Sequence, residues 1–288
     1  MRGNRMRTAV TGAVLVMLLG SGVARPEAWG VQGHRLVALI AADQLSPSAK
    51  LNVAWLLPDS SLAEVAVWAD QFARANSQTG PWHYVNLPSN ATSYDRERHC
   101  PRPPGPAGDD RWRDCVVDQI PYHQARLANR SLDRADRATA LKFLVHFIGD
   151  LHQPFHALDV ARGGNDIPVV AFGSATCSRS DGTPSLCNLH GIWDTTLIAH
   201  RQLSDRQYLA QLSAQITRGR RRAWGAGSPA AWAMESHALA KRALLPRQGV
   251  VDEAYFRAHI SVIDKRLVQG GLRLAAALNE SLSEPPPQ

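Results

Sequence analysis

Apolar residues recur along this chain at intervals of three and four, the repeat of one face of a helix. Leu36, Val37, Ile40 and Ala41 form one such set, and Leu62, Val65, Ala66 and Ala69 a second. Leu141, Leu144, Val145 and Ile148 form a third, and Ile260, Ile263, Leu267, Gly271, Leu274 and Leu278 a long fourth. With their flanks, these patterns predict helices near 31–45, 60–76, 119–129, 136–152, 190–201, 205–217, 229–243 and 252–280. The intervening stretches are rich in turn residues, chiefly 86–114 and 173–189. Val169–Phe172 reads as a short strand in a hairpin. Pro154 lacks an N–H and disfavours helix at Gln153, so the helix before it ends or kinks there. No fixed-period repeat and no dividing linker is evident. The expectation is a mainly α, single-domain helical fold over 29–280 with a small β-hairpin, and a frayed tail over 281–288.

The first 28 residues depart from this pattern. Arg2, Arg5 and Arg7 precede an apolar run from Ala9 to Leu19, and small residues follow, as in a secretory signal peptide. The run is short for a bilayer span, and nothing later reaches that length. Cleavage after Ala24 or after Ala28 is compatible with the sequence. Loss of 1–28 takes away four Arg and one Glu, which lowers the net charge from +7 to +4. A modestly basic surface favours polyanions without proving that they bind. Export to the periplasm or the medium would oxidise the four Cys. The local pairing, Cys100 with Cys115 and Cys177 with Cys187, closes two short polar loops. A structural zinc site is the rival, but no Cys-x-x-Cys spacing supports it.

The candidate chemistry lies in His and Asp. Residues 146–156 read His-Phe-Ile-Gly-Asp-Leu-His-Gln-Pro-Phe-His, and 190–194 read His-Gly-Ile-Trp-Asp. His146/Asp150 and His190/Asp194 are i, i+4 pairs, which share a helix face and can each hold one metal. His34, Asp70, His83 and His156 are further candidates. Nitrogen and carboxylate donors without thiolate suit Zn2+, and sites left partly open to water are catalytic. Each residue alone has a structural explanation, but their order along the chain points to a hydrolase with several metals.

The blocks Trp-Ala-Asp (68–70), Trp-His-Tyr-Val-Asn (82–86), Gly-Asp-Leu-His-Gln-Pro-Phe-His (149–156), Gly-Gly-Asn-Asp (163–166), Asn-Leu-His-Gly-Ile-Trp-Asp (188–194) and Trp-Ala-Met-Glu-Ser (232–236) resemble the S1/P1 nuclease family of zinc enzymes. The wider superfamily includes bacterial zinc phospholipase C. The resemblance implies three zinc ions. One would be held by Asp70, His83, His146 and Asp150. A second would be held by the amino group and carbonyl oxygen of Trp29, by His34 and by Asp150 as a bridge. The third would be held by His156, His190 and Asp194. The first two would activate a shared water, and the third would bind the scissile phosphate. The implied activity is endonucleolytic cleavage of single-stranded DNA and RNA to 5′-phosphate products, with 3′-nucleotidase activity, by a monomer. Ligation through the Trp29 amine requires that Trp29 be the mature N-terminus.

Tyr84 follows a ligand position where the resemblance implies an aromatic stacked on a base, and core packing is its other reading. Asn86 stands where fungal members carry an Asp that contacts the base. Asn165 is a candidate for lining the cleft, or a turn residue after two Gly. The phosphate-binding Arg implied three residues after Asp70 is displaced: position 73 is Ala and Arg74 is one residue later, which on a helix turns the side chain by about 100°. Arg218, Arg220, Arg221 and Arg222 read first as a solvated loop. His99, His123, His152, His200, His237 and His259 match no ligand position and are expected to be structural or exposed. Two other readings remain at this stage. A phospholipase C is disfavoured by Asp194, where that branch has Glu, and by the short gap from Trp29 to His34. The last alternative is a non-catalytic zinc- or polyanion-binding protein.

Overall fold

The computed structural model describes residues 29–102, 113–179 and 182–286. The signal-peptide expectation for 1–28 lies outside them. The first half comprises α1 (Val31–Asp43), α2 (Pro47–Leu56), α3 (Trp68–Ala75), a 3-10 turn at Ser77–His83, α4 (Arg96–His99), α5 (Val116–Ala128) and α6 (Arg134–His152). A second 3-10 turn, Pro154–Ala157, follows directly. Then come β1 (Val169–Ala171), β2 (Thr176–Ser178), β3 (Pro184–Leu186), α7 (Leu189–Gly191), a π-helical turn at Ile192–Thr196 and α8 (Leu197–Ala199). The chain ends with α9 (Asp205–Ser213), α10 (Arg218–Gly225), α11 (Pro229–Ala243), β4 (Gly249–Val251) and α12 (Glu253–Ser281). Among the described residues, no helix is long and apolar enough to cross a membrane.

The architecture is built around α6. Asp133 caps its start by accepting from the Asp136 N–H, and almost every side chain from Ala140 to His152 is buried. An α-helix so enclosed must be surrounded by others, and α1, α3, α5, α11 and α12 all pack on it. The long C-terminal helix α12 lies along α1 as well. Gly271 allows that approach: a Cβ there would sit 2.4 Å from Ile40 Cγ2. A single apolar core therefore runs from Trp29 to Leu282.

The helix break at Pro154 is present. Gln153 leaves helical geometry at ψ 119°, and its side chain accepts from the Phe155 N–H to start the next turn. The broken end of α6 is held by buried charge. Arg266, 1% exposed, donates to the His152 carbonyl at 3.1 Å and to Glu235 at 2.6 Å. Arg273, equally buried, donates to the same carboxylate and, at 2.8 Å, to His152 Nε2. Burial, then the neighbouring Arg273, brings Arg266 down to about 10, so it remains charged.

Three expectations are corrected. Val169–Ala171 pairs in parallel with Gly249–Val251 instead of entering a hairpin, and the hairpin is β2–β3, with Cys177 opposite Ser185. Its strands are largely exposed, so no alternation of apolar and polar residues marked them. Of 60–76, only Trp68–Ala75 is α-helix; ahead of it Ser61 and Glu64 bond reciprocally in a turn. The Arg218–Arg222 stretch is helix α10, not loop, capped by Thr217 and with Arg220 over the Trp224 ring. Within 281–288, Leu282 is buried, and Asn52 of α2 donates to the Glu284 carbonyl at 2.7 Å.

Candidate metal centre

The separated His and Asp residues converge into three groups, each with donor atoms within 4.8 Å of one another. His34, His146 and Asp150 form one group, Asp70, His83 and His146 an adjoining one, and His156, His190 and Asp194 the third. The first two meet at α6. His34 comes from α1, stacked on His146 with ring centroids 4.0 Å apart. Its Nε2 lies 3.2 Å from Asp150 Oδ1. His146 Nε2 is 3.3 Å from both Asp70 Oδ1 and Asp150 Oδ1, and 3.1 Å from His83 Nδ1. In the third group His190 Nε2 is 3.1 Å from His156 Nε2 and 3.3 Å from Asp194 Oδ2. The break at Pro154 carries His156 away from the Asp150 group and toward His190.

The outer faces of these rings explain the inner ones. His146 Nδ1 donates to the Ala66 carbonyl at 2.8 Å, His156 Nδ1 to the His83 carbonyl at 2.7 Å, and His190 Nδ1 to the Gly163 carbonyl at 2.7 Å. Each bond fixes the ring with Nε2 facing inward, so that in the neutral form the proton lies on Nδ1 and the Nε2 lone pair faces the group. Two lone pairs facing each other at 3.1 Å, as for His156 and His190, repel unless a cation lies between them. Tetrahedral zinc with bonds of about 2.0–2.1 Å places its donors about 3.3 Å apart, close to the separations found here. Among the described residues, His34 Nε2 and Asp150 Oδ1 are fully buried and, although 3.2 Å apart, have hydrogen-bond geometry neither to each other nor to another group, another mark of atoms built for a different ligand. The residues fit bound metal.

Electrostatics agree. Burial, reinforced by His146, pushes His34 down to about 4. Burial, then His156, takes His190 down to about 3. Both rings are neutral near pH 7, the form that ligates. Burial acts to lower His146 as well, but Asp150 and Asp70 outweigh it and hold the ring well above the usual range. For Asp150 burial acts upward, yet His146 holds it well below. Positive charge is therefore favoured between these two carboxylates.

The first group lies buried behind the second and third, which open into a cleft of about 1070 Å3. Asp70, His83, His190 and Asp194 line it, as do all four proposed substrate contacts, Arg74, Tyr84, Asn86 and Asn165. Arg74 thus lines the cleft although it is displaced by one residue. Trp29 is buried at the start of α1, and the Gly30 N–H donates to the Asp194 carbonyl at 2.7 Å. The predicted disulfides, Cys100–Cys115 and Cys177–Cys187, are both present. Of the other His residues, His123, His152 and His237 are buried.

Several contributors were not anticipated. Gly149 is a notch for His34: a Cβ there would lie 2.7 Å from His34 Nδ1. Gln153 donates to Asp194 Oδ1 at 2.5 Å. Both lie inside the 149–156 block, which was the available signal. The carbonyls of Ala66, His83 and Gly163 leave none, since any residue type supplies one.

A family model described as S1/P1 Nuclease matches residues 29–283. Nuclease PA3 of Penicillium sp and Nuclease P1 of Penicillium citrinum are each 32% identical over 286 residues, covering 88% of this chain and 97% of theirs. Endonuclease 1 of Arabidopsis thaliana is 31% identical, over 94% of this chain and 92% of its own.

Proposed function

This chain belongs to the S1/P1 nuclease family, and from that premise we propose that it cleaves phosphodiester bonds of single-stranded DNA and RNA at three zinc ions, leaving 5′-phosphate ends, and dephosphorylates 3′-nucleotides. The observation that carries this reading is the convergence of three His/Asp groups, two of which reach one cleft through Asp70, His83, His190 and Asp194. Asp70, His83, His146 and Asp150 would hold one zinc. His34, Asp150 and the amino and carbonyl groups of Trp29 would hold a second, and His156, His190 and Asp194 a third. Bound zinc supplies Lewis acidity, polarising a phosphoryl oxygen and lowering the pKa of water.

The protein's part is placement. Asp150 has one oxygen toward His34 and the other 2.9 Å from His83 Nδ1, which suits a bridging role. Tyr84, half-buried in the cleft wall, offers a ring face to an unpaired base, a contact that tolerates any sequence. A base still stacked in a duplex cannot reach it. Asn86 has both donors and an acceptor for a base edge. Arg74 and Asn165 both line the cleft, and Arg74 would contact phosphate. Oxidised Cys pairs accord with an exported enzyme. Export with cleavage after Ala28 would free the Trp29 amine.

The test is incubation of the purified mature protein with single-stranded DNA and RNA, with and without chelator, followed by analysis of the ends. Chelator-sensitive cleavage to 5′-phosphate products is the expected result. Intact nucleic acid alongside release of phosphocholine from lipid would turn the assignment to a phospholipase.

A further inference from the structure

We infer that the β2–β3 hairpin is a second substrate wall, in which Leu186 and Arg179 bind a nucleotide beyond the one at Tyr84. This rests on the reading of the cleft as a nucleic-acid site. Ser178, Arg179, Pro184, Ser185 and Leu186 all line the same cleft as the His/Asp groups. Leu186 is 76% exposed there. A lone leucine on an open surface needs no explanation. This one stands in the passage that substrate must occupy, four residues along the chain from His190 and so at most about 14 Å from it.

The hairpin is anchored as a rigid wall would be. Its base is closed by the Cys177–Cys187 disulfide. The Cys187 carbonyl accepts from the Val169 N–H of β1 at 3.1 Å. On the other strand, the Thr196 hydroxyl reaches Cys177 Sγ at 3.9 Å, linking the hairpin to the π-helical turn that carries Asp194. At the outer end the Arg179 N–H donates to Thr183 and the Arg179 carbonyl accepts from Gly182, which fixes the backbone while the side chain stays exposed.

Size accords with a longer substrate: the cleft of about 1070 Å3 stands at the upper end of the roughly 300–1,000 Å3 typical of pockets for one small ligand. The wall pairs an apolar side chain, suited to a base or ribose face, with a cation suited to phosphate. Single-stranded oligonucleotides, which extend past the nucleotide at Tyr84, are then better substrates than 3′-mononucleotides.

The experiment compares the zinc-loaded wild type with Leu186→Ser and Arg179→Gln. It measures KM and kcat for a single-stranded oligodeoxynucleotide and for a 3′-mononucleotide, and oligonucleotide binding by fluorescence anisotropy. Both residues are exposed, so folding is preserved. Leu186→Ser is expected to raise the oligonucleotide KM roughly five- to tenfold, from partial loss of a leucine's burial, with no parallel rise for the mononucleotide. Arg179→Gln is expected to flatten the dependence of binding on salt by about 0.7 in the log–log slope. Equal effects on the two substrates, or none on the oligonucleotide, would overturn the inference. Hairpin-dependent binding without cleavage would uphold it and instead refute the catalytic reading.

Discussion

Gly149→Ala separates the needs of the helix from those of the site. Gly149 lies inside α6, where alanine stabilises an unconstrained helix by about 1 kcal/mol. Against this, the added Cβ would meet His34 Nδ1 at 2.7 Å and Cε1 at 2.9 Å. His34 is fully buried and stacked on His146, so it has little room to retreat. Relief of the overlap to ordinary contact needs a shift of about 0.7 Å, and overpacking of this kind costs about 1–3 kcal/mol. The two contributions nearly offset, so Tm should change by only a few degrees. The ring carrying a proposed ligand, however, moves by an amount that matters to metal binding. Displacements near 1 Å cost about a hundredfold in rate. The expected outcome is a folded protein with one zinc equivalent weakened or lost and kcat down by about two orders of magnitude. Circular dichroism melts, metal analysis after dialysis, and single-strand cleavage rates measure the three quantities. A Gly149→Ala protein with wild-type zinc content and rate would refute the assignment of His34 as a ligand.

Three further outcomes follow from other parts of the structure. Glu235→Gln leaves Arg266 and Arg273 without their carboxylate; because Glu235 is partly exposed, a loss of about 2–3 kcal/mol is expected, below the full cost for a buried pair, seen as a Tm lower by about 4–12 °C. Burial, with Arg126 adding to it, holds His123 at about 3 against 6.5 for the free side chain. The unfolded state therefore binds more protons between these values, and stability falls as pH drops below 6.5. His123→Phe should remove this loss, gaining about 2 kcal/mol on wild type at pH 5 relative to pH 7.5; equal urea midpoints for the two proteins at both pH values would contradict it. Gln153→Leu removes the donor to Asp194 Oδ1, and zinc affinity at that site should fall about 10- to 100-fold in competition with a chelator.

The sequence carried the site better than the fold's edges. His146 and Asp150 were legible because i, i+4 spacing on α6 fixes a common face before any tertiary contact forms; His190 and Asp194 have the same spacing, but α7 and the π-helical turn bring them together. Pro154 was legible because its ring forbids helix locally. Elements without a buried apolar stripe escaped notice. In α2 only Ala49, Asn52 and Leu56 are buried, and α10 buries nothing, so caps at Ser46 and Thr217 and contacts to neighbours define them. The hairpin is held by a disulfide more than by burial, and periodicity cannot report that. The backbone carbonyls that orient His146, His156 and His190 were invisible for a different reason: they belong to the path of the chain, not to residue identity.

The most direct measurement is a zinc titration of chelator-stripped mature protein, with bound metal and the rate of single-stranded DNA cleavage read on the same samples. If the three His/Asp groups are the catalytic centre, the stripped protein is inactive and the rate returns to its full value as three equivalents bind. Full activity in stripped protein, or three bound equivalents with no cleavage of single-stranded DNA or RNA, would contradict the central claim.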